Sequence, residues 1–323
     1  MRIVFVHGWS VTSTDTYGGL PEALANHAPP GLELAIGHLH LARYVSFADE
    51  VTMDDLARGM EAAVCAEVLP LLARGERFAA VTHSTGGPLV RSWIELFHGE
   101  ALAKCPLSHL VMLAPANHGS ALAQLGKSRL ARMKFFAGGF EPGVRILDWL
   151  ELGSDEGWRL NGAWFERSFV EAGLYTFVLT GQSIDRTFYD ALNSYTGEAG
   201  SDGVVRAAAA NLNYGVIRLE QGVDGIQLRR EGQSPASAFA ILPGLSHSGE
   251  LMGILRSVEA DSSAGHPTVA GVLACLGVTS AQKYRACIKA FAAITAETQD
   301  AERKTNEKSL FLFRRQFVVS RYC

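Results

Sequence analysis

Short runs of apolar, largely β-branched residues alternate along this chain with stretches in which apolar positions recur every three or four residues. Residues 3–6 form the first run, ending at His7-Gly8, and residues 32–36 a weaker second one. From 53 to 72, Leu56, Met60, Val64, Val68, Leu71 and Leu72 fall at helical spacing, with Thr52 as a cap and Arg74-Gly75 as a stop. Residues 78–82 predict a strand that passes through His83-Ser84-Thr85-Gly86-Gly87 straight into a helical pattern over 88–97. Further strands are predicted over 110–113, 175–179, 216–219 and 239–242, and a helix near 281–295. Strands alternating with helices predict an α/β fold with a mostly parallel central sheet covered by helices on both faces. On such sheets chemistry collects at the carboxyl ends of the strands.

Two segments break the rhythm. From about 120 to 171 there are helical pieces and aromatics (Phe135, Phe136, Phe140, Trp149, Trp158, Trp164, Phe165) with no strand signal. This insert is expected to be either a helical lid or cap over the strand ends or a set of ordinary core helices, since large apolar residues are more often packed than functional. The tail has a charged stretch over 298–308, then the β-rich Leu310-Phe311-Leu312-Phe313 and Phe317-Val318-Val319. We therefore expect one domain over 1–296 and a tail over 297–323, which either closes on the body or begins a further domain. No repeat or low-complexity tract interrupts this plan.

Composition narrows the partners. With 48% hydrophobic residues in 323, the chain can bury one large core. A formal net charge of −4 offers no broad attraction to a polyanion, so nucleic acid is not an expected partner. Five cysteines at unrelated spacings suit neither a disulfide framework nor a zinc site. No apolar run reaches the ~20 residues of a membrane-spanning helix, and the first strand is too short for a signal sequence. The cytoplasm is the default expectation, with export by a signal-less route left open, as is the oligomeric state.

The strongest local signal is the strand, Thr82-His83-Ser84-Thr85-Gly86, helix succession. In a nucleophile elbow the serine sits on a strained strand-to-helix turn, and the positions two before and two after it must be small. Gly86 meets that demand and Thr82 meets it only in part. The turn also places Ser84 at a helix amino end, where unpaired N–H groups favour the charge on an attacked carbonyl oxygen. The plainer alternative is that a Ser before Gly-Gly only caps a helix.

Val6-His7-Gly8-Trp9 after the first strand, taken with the Ser84 elbow, resembles the lipase and esterase branch of the α/β-hydrolase family. The resemblance implies an oxyanion hole formed by the N–H groups of Trp9 and Thr85, with His7, Gly8, His83 and Gly86 lining the site. Leu113-Ala114-Pro115-Ala116-Asn117-His118-Gly119-Ser120 is similar to a Pro-x-x-x-Gly-Ser segment of many lipases, which puts His118 and Ser120 at the border of the site without a catalytic role. The departure is Thr82, where the family usually has glycine.

A serine hydroxyl needs a base, and the base an acid to hold its tautomer; in this fold they follow in the order Ser, acid, His. His247, in the loop after the 239–242 strand, is the expected base. His266 also lies late enough, but follows no strand. For the acid, Asp202 in Gly200-Ser201-Asp202-Gly203-Val204-Val205 is similar to the Asp-Gly-Val-Val segment of related lipases, whereas Asp185 follows the 175–179 strand more directly; both stay open. Asp224, in a Gly-flanked turn, reads as a turn former.

These residues predict ester hydrolysis through an acyl-enzyme on Ser84, with no metal or organic cofactor. The resemblance points to a small-molecule or lipid ester, including phospholipid esters, and to transient membrane-surface contact through the lid. A thioesterase or acyltransferase would use the same residues, and a hydrolase-like binding protein would keep the fold without turnover.

Overall fold

In a computed structural model of the chain, the structure describes residues 1–7, 14–45, 50–120, 123, 143–184 and 200–312, with the side chains of His7, Thr14, Asp15 and 305–312 left aside. Its elements in chain order are β1 (Arg2–His7), α1 (Leu20–His27), β2 (Ala35–His40), α2 (Met53–Ala63), β3 (Phe78–His83), α3 (Gly86–His98), β4 (Leu107–Leu113), α4 (Val144–Trp149), α5 (Asp155–Phe165), β5 (Tyr175–Thr180), α6 (Ala207–Ala210), β6 (Gly215–Gly222), β7 (Gly225–Gln233), β8 (Ala238–Ile241), α7 (Pro267–Leu276) and α8 (Ala281–Leu312).

Six strands form one sheet in the order β2-β1-β3-β4-β5-β8, and every neighbouring pair is parallel. Strands buried on both faces read as continuous apolar runs, which is why β3, β4 and β5 stand out in the sequence. One face packs against α2, α3, α4 and α5 through Leu56, Met60, Leu89, Trp93, Ile146 and Trp164. The other is covered by α1, α7 and α8, with Leu24, Val269, Val272, Tyr284 and Phe291 against Phe5, Val111 and Phe177. Helices on both faces of a parallel sheet are the architecture the pattern predicts.

Local signals set several ends. Thr52 caps α2 with a capping box, its hydroxyl accepting from Asp55 N–H while the Asp55 carboxylate accepts from Thr52 N–H. The predicted helix over 53–72 ends as an α-helix at Ala63 and continues as a π turn and a 3-10 turn to Leu71, the last beginning at Leu69-Pro70.

Two expectations change. Residues 216–219 belong to β6, which pairs antiparallel with β7 in a separate two-stranded ribbon and not with the sheet. Its alternation is that of a ribbon with one apolar face, and Ile217, Leu219, Ile226 and Leu228 are exposed on it. Residues 310–312 continue α8 instead of starting a strand; Asp300 pairs with Arg303 and Lys304 one turn on, and a helix already nucleated extends cheaply. In the described part of the 120–171 insert, Ile146, Trp149, Leu160 and Trp164 belong to the core beside α3, as the core-helix alternative expects. Trp158 is exposed, while Phe135, Phe136 and Phe140 lie outside the described residues. No helix among the described residues is long and apolar enough to cross a membrane.

Because the Thr52 cap satisfies otherwise orphaned N–H groups of α2, Thr52→Ala is expected to cost about 1 kcal/mol. A lowered urea midpoint with unchanged slope is the measurement.

Candidate active site

Ser84 follows β3 directly and has φ = 52°, in the left-handed region that residues with a Cβ seldom enter. Such a conformation costs roughly 1–2 kcal/mol and is held here by the backbone around it. Its N–H donates to Leu113 O at 3.0 Å, and its carbonyl accepts from Gly87 N at 3.2 Å and Ala116 N at 3.4 Å. Ala114, at the end of β4, is strained in the same way (φ = 46°), with its N–H on Leu179 O at 2.7 Å. Two neighbouring strands thus end in matching sharp turns that grip each other.

The small residues around the elbow now have reasons. A Cβ on Gly87 would lie 2.6 Å from Pro115 Cβ, so only glycine lets α3 approach the end of β4. A Cβ on Gly86 would lie 3.2 Å from Thr82 Cβ. The two positions share one space, and with glycine at 86 the threonine at 82 fits. Its hydroxyl is buried with no partner among the described residues, a cost of about 1–3 kcal/mol that a glycine would not carry.

His247, in the loop after β8, places Nε2 at 3.1 Å from Ser84 Oγ and Nδ1 at 2.9 Å from Asp202 Oδ2. Its backbone N–H also donates to Asp202 O at 2.9 Å. Asp202 is fully buried; its Oδ1 accepts from Val204 N (3.0 Å) and Val205 N (2.7 Å). One carboxylate oxygen therefore holds its own turn and the other faces the imidazole. A carboxylate at Nδ1 selects the tautomer with hydrogen there, so the Nε2 lone pair faces the serine hydroxyl. Ser120, whose Oγ donates to Val204 O at 2.5 Å, steadies the same turn.

Of the other expected residues, Thr85 precedes α3 and contributes to an amino end whose first N–H groups have no intrahelical acceptor. Trp9, Gly8 and the rival acid Asp185 lie outside the described residues, and of His7 only the backbone, ending β1, is described. His83 packs on the His247 ring, centroids 4.7 Å apart. Burial, and then the neighbouring imidazole, hold its pKa well below the ordinary histidine value, an effect the His247 backbone offsets in part. His118 points away from Ser84 to Asn211 O (3.1 Å) and the edge of Tyr214. His266 caps α7, accepting from Thr268 N–H, and is no competitor for the base. Asp224 sits in the β6–β7 turn, as expected of a turn former. Arg91, Asn117 and Ala114 were not singled out by sequence, although an arginine between Leu89-Val90 and Trp93-Ile94 on a buried helix is a legible anomaly. No group of three or more side chains able to hold a metal occurs among the described residues.

No protein-family model and no curated protein matches the chain. Among solved structures, it is similar to phospholipase PlaB from Legionella pneumophila, with 53% identity over 94% of this chain and a TM-score of 0.86. PlaB solved with thio-NAD gives 52% identity, the same coverage and a TM-score of 0.84. The chain belongs to the α/β-hydrolase superfamily. Within it, the likeness is to the lipase and phospholipase branch, and this α/β-hydrolase spans 64% of the length of either PlaB structure. A lipase from Bacillus licheniformis is more remote, at 22% identity over 65% of this chain and 78% of its own, with a TM-score of 0.46.

The buried histidines of this α/β-hydrolase make its stability depend on pH. Burial, and then Arg91, hold the His118 pKa down to about 4, against 6.5 for a free side chain. The unfolded chain takes up that proton near 6.5 and the folded chain only near 4, so the contribution is complete above 6.5 and lost as pH falls. The difference is on the order of 3 kcal/mol, and His83 adds to it in the same direction. His118→Gln is expected to flatten the decline in urea midpoint between about pH 7 and about pH 4.5.

Proposed function

We propose that this protein is a serine hydrolase of carboxylic esters, acting on lipid or phospholipid esters through an acyl-enzyme on Ser84. What supports the reading is the relay from Ser84 Oγ to His247 Nε2 at 3.1 Å and from His247 Nδ1 to Asp202 at 2.9 Å, built on a strained strand-to-helix turn. In the proposed reaction His247 takes the Ser84 proton as Oγ attacks the ester carbonyl, and the buried Asp202 stabilises the imidazolium. In this reading the Thr85 N–H, at the start of α3, serves the developing oxyanion, and the resemblance assigns the second donor to Trp9; losing one such donor typically costs ~2.7–4 kcal/mol. Collapse of the tetrahedral intermediate passes the proton from His247 to the leaving alcohol. Water, activated by the same base, then releases the carboxylic acid.

The substrate class rests on likeness. The similar protein is a phospholipase by its name, and the free thiols of Cys65, Cys105, Cys275 and Cys287 fit a reducing compartment such as the cytoplasm. We place the hydrolase domain at residues 1–296 and keep Asp202 as the acid, supported by the 2.9 Å contact of its carboxylate with His247 Nδ1.

A fluorophosphonate probe should label the protein on Ser84. Ser84→Ala should lose labelling and about 10⁴-fold or more of ester hydrolysis, and Asp202→Asn about 10⁴-fold in kcat with its fold intact. Assays on p-nitrophenyl esters, acyl-CoA and phospholipid vesicles separate esterase, thioesterase and phospholipase action. Full activity of Ser84→Ala would refute the assignment.

A further inference from the structure

Arg91, on α3 two turns beyond Ser84, is completely buried, and among the described residues it forms no salt bridge. A guanidinium deprived of water is normally matched by a carboxylate, because desolvating a lone cation is costly. Here it faces two amides. Nη1 donates to Asn117 Oδ1 at 3.2 Å and to Asn117 O at 3.5 Å, and Nη2 donates to Asn161 Oδ1 at 2.8 Å. The Trp164 ring centroid lies 4.3 Å from the guanidinium carbon, and Nε has no partner among the described residues. The titratable groups whose charges couple to it are His118, on the loop after β4, and Tyr214, before β6.

The chemistry of the pair decides what this does. A guanidinium carries only donors, so each asparagine must present its oxygen to Arg91 and turn its amino group away. Asn117 Nδ2 is thereby aimed at Ala210 O, which it meets at 2.8 Å. Asn161 Nδ2 is aimed at Asn117 O (3.0 Å) and Gly157 O (2.9 Å). Asn117 lies on the loop whose Ala116 N–H binds Ser84 O, and the next residue's N–H, that of His118, binds Ala209 O at 2.8 Å. Ala209 and Ala210 end α6, which begins four residues after Gly203 and follows the Asp202 turn. A carboxylate at 117 would neutralise Arg91 but would lose the donor that holds Ala210.

We propose that Arg91 is a positioning residue: by orienting the Asn117 amide it ties the Ser84 elbow to the segment that carries Asp202, and so keeps Asp202 in register with His247. The proposal rests on the Ser84-His247-Asp202 reading given above. Arg91 touches no reacting atom, and its effect passes through Asn117 and Ala210. Two amides suit the task because they take no proton themselves, while the cation fixes which way each one points.

The test uses the whole chain, with Arg91→Met and the milder Asn117→Ala, which removes the link to Ala210 together with the Oδ1 acceptor and leaves Asn161 Oδ1 and the backbone Asn117 O on the arginine. Both are expected to lose roughly 10- to 100-fold in kcat on a short p-nitrophenyl ester, the scale of a small misplacement in a site, with KM within about twofold. The acid limb of the kcat/KM profile should move to lower pH, because an imidazolium with a displaced carboxylate is less stabilised. Fluorophosphonate labelling of Ser84 should slow in proportion. A variant that is less heat-stable but keeps wild-type kcat and the wild-type acid limb would overturn the proposal, leaving Arg91 a packing residue. If Arg91→Met does not fold, Asn117→Ala decides alone by the same two readouts. Absence of labelling in the wild-type protein would instead sink the hydrolase reading itself, so the two failures are distinguishable.

Discussion

The site depends on a serine held in a backbone conformation that serine does not favour. At φ = 52° Ser84 stands clear of both the strand before it and the helix after it, which exposes Oγ to a base. The conformation persists because the elbow is bonded to the end of β4, through Leu113 O and Ala116 N, more firmly than relaxing it would repay. Glycine at 87 lets α3 close on Pro115, and glycine at 86 leaves room for Thr82. The strain is thus distributed over two adjacent strand ends, since Ala114 shares it.

The other half of the site comes from much later in the chain. Asp202 arrives on a tight turn that uses one carboxylate oxygen for its own N–H groups, and His247 arrives on a loop after the last strand of the sheet. Three loops therefore have to agree within a few tenths of an ångström. Buried polar links carry that agreement: Ser120 to Val204, His118 to Ala209, Asn117 to Ala210, with Arg91 behind them. Such links are costly if broken and directional if intact, which suits residues that must keep others in place.

Much of this was legible in residue order. The strands over 78–82 and 239–242, the Thr52 cap, Ser84 and His247 all come from strong local signals, because a strand buried on both faces cannot hide its apolar run and an elbow demands small residues at set offsets. The segment 216–219 shows the limit: apolar alternation reports that a strand exists, but not which strand it pairs with, and β6 pairs with β7 outside the sheet. Residues 310–312 read as β-rich by composition and are helical by continuity with α8. In the 120–171 insert, aromatic residues could equally have lined a lid or filled a core, and those of α4 and the inward face of α5 fill the core.

By itself the sequence determined the α/β class, the strand-turn-helix at Ser84 and the succession of Ser84, the candidate acids and His247, since each is written in neighbouring residues or in simple order. The choice between two aspartates was left open, because residue order does not say which carboxylate returns to the histidine; among the described residues the Asp202 carboxylate meets His247, and Asp185 lies outside them. Tertiary structure alone decided that Thr82 is tolerated opposite Gly86, that His118 turns away from the serine, and that Arg91 is buried against amides in place of an acid. Each of these is a contact between residues distant in the chain, and distance along the chain carries no record of which side chains will share one dry space.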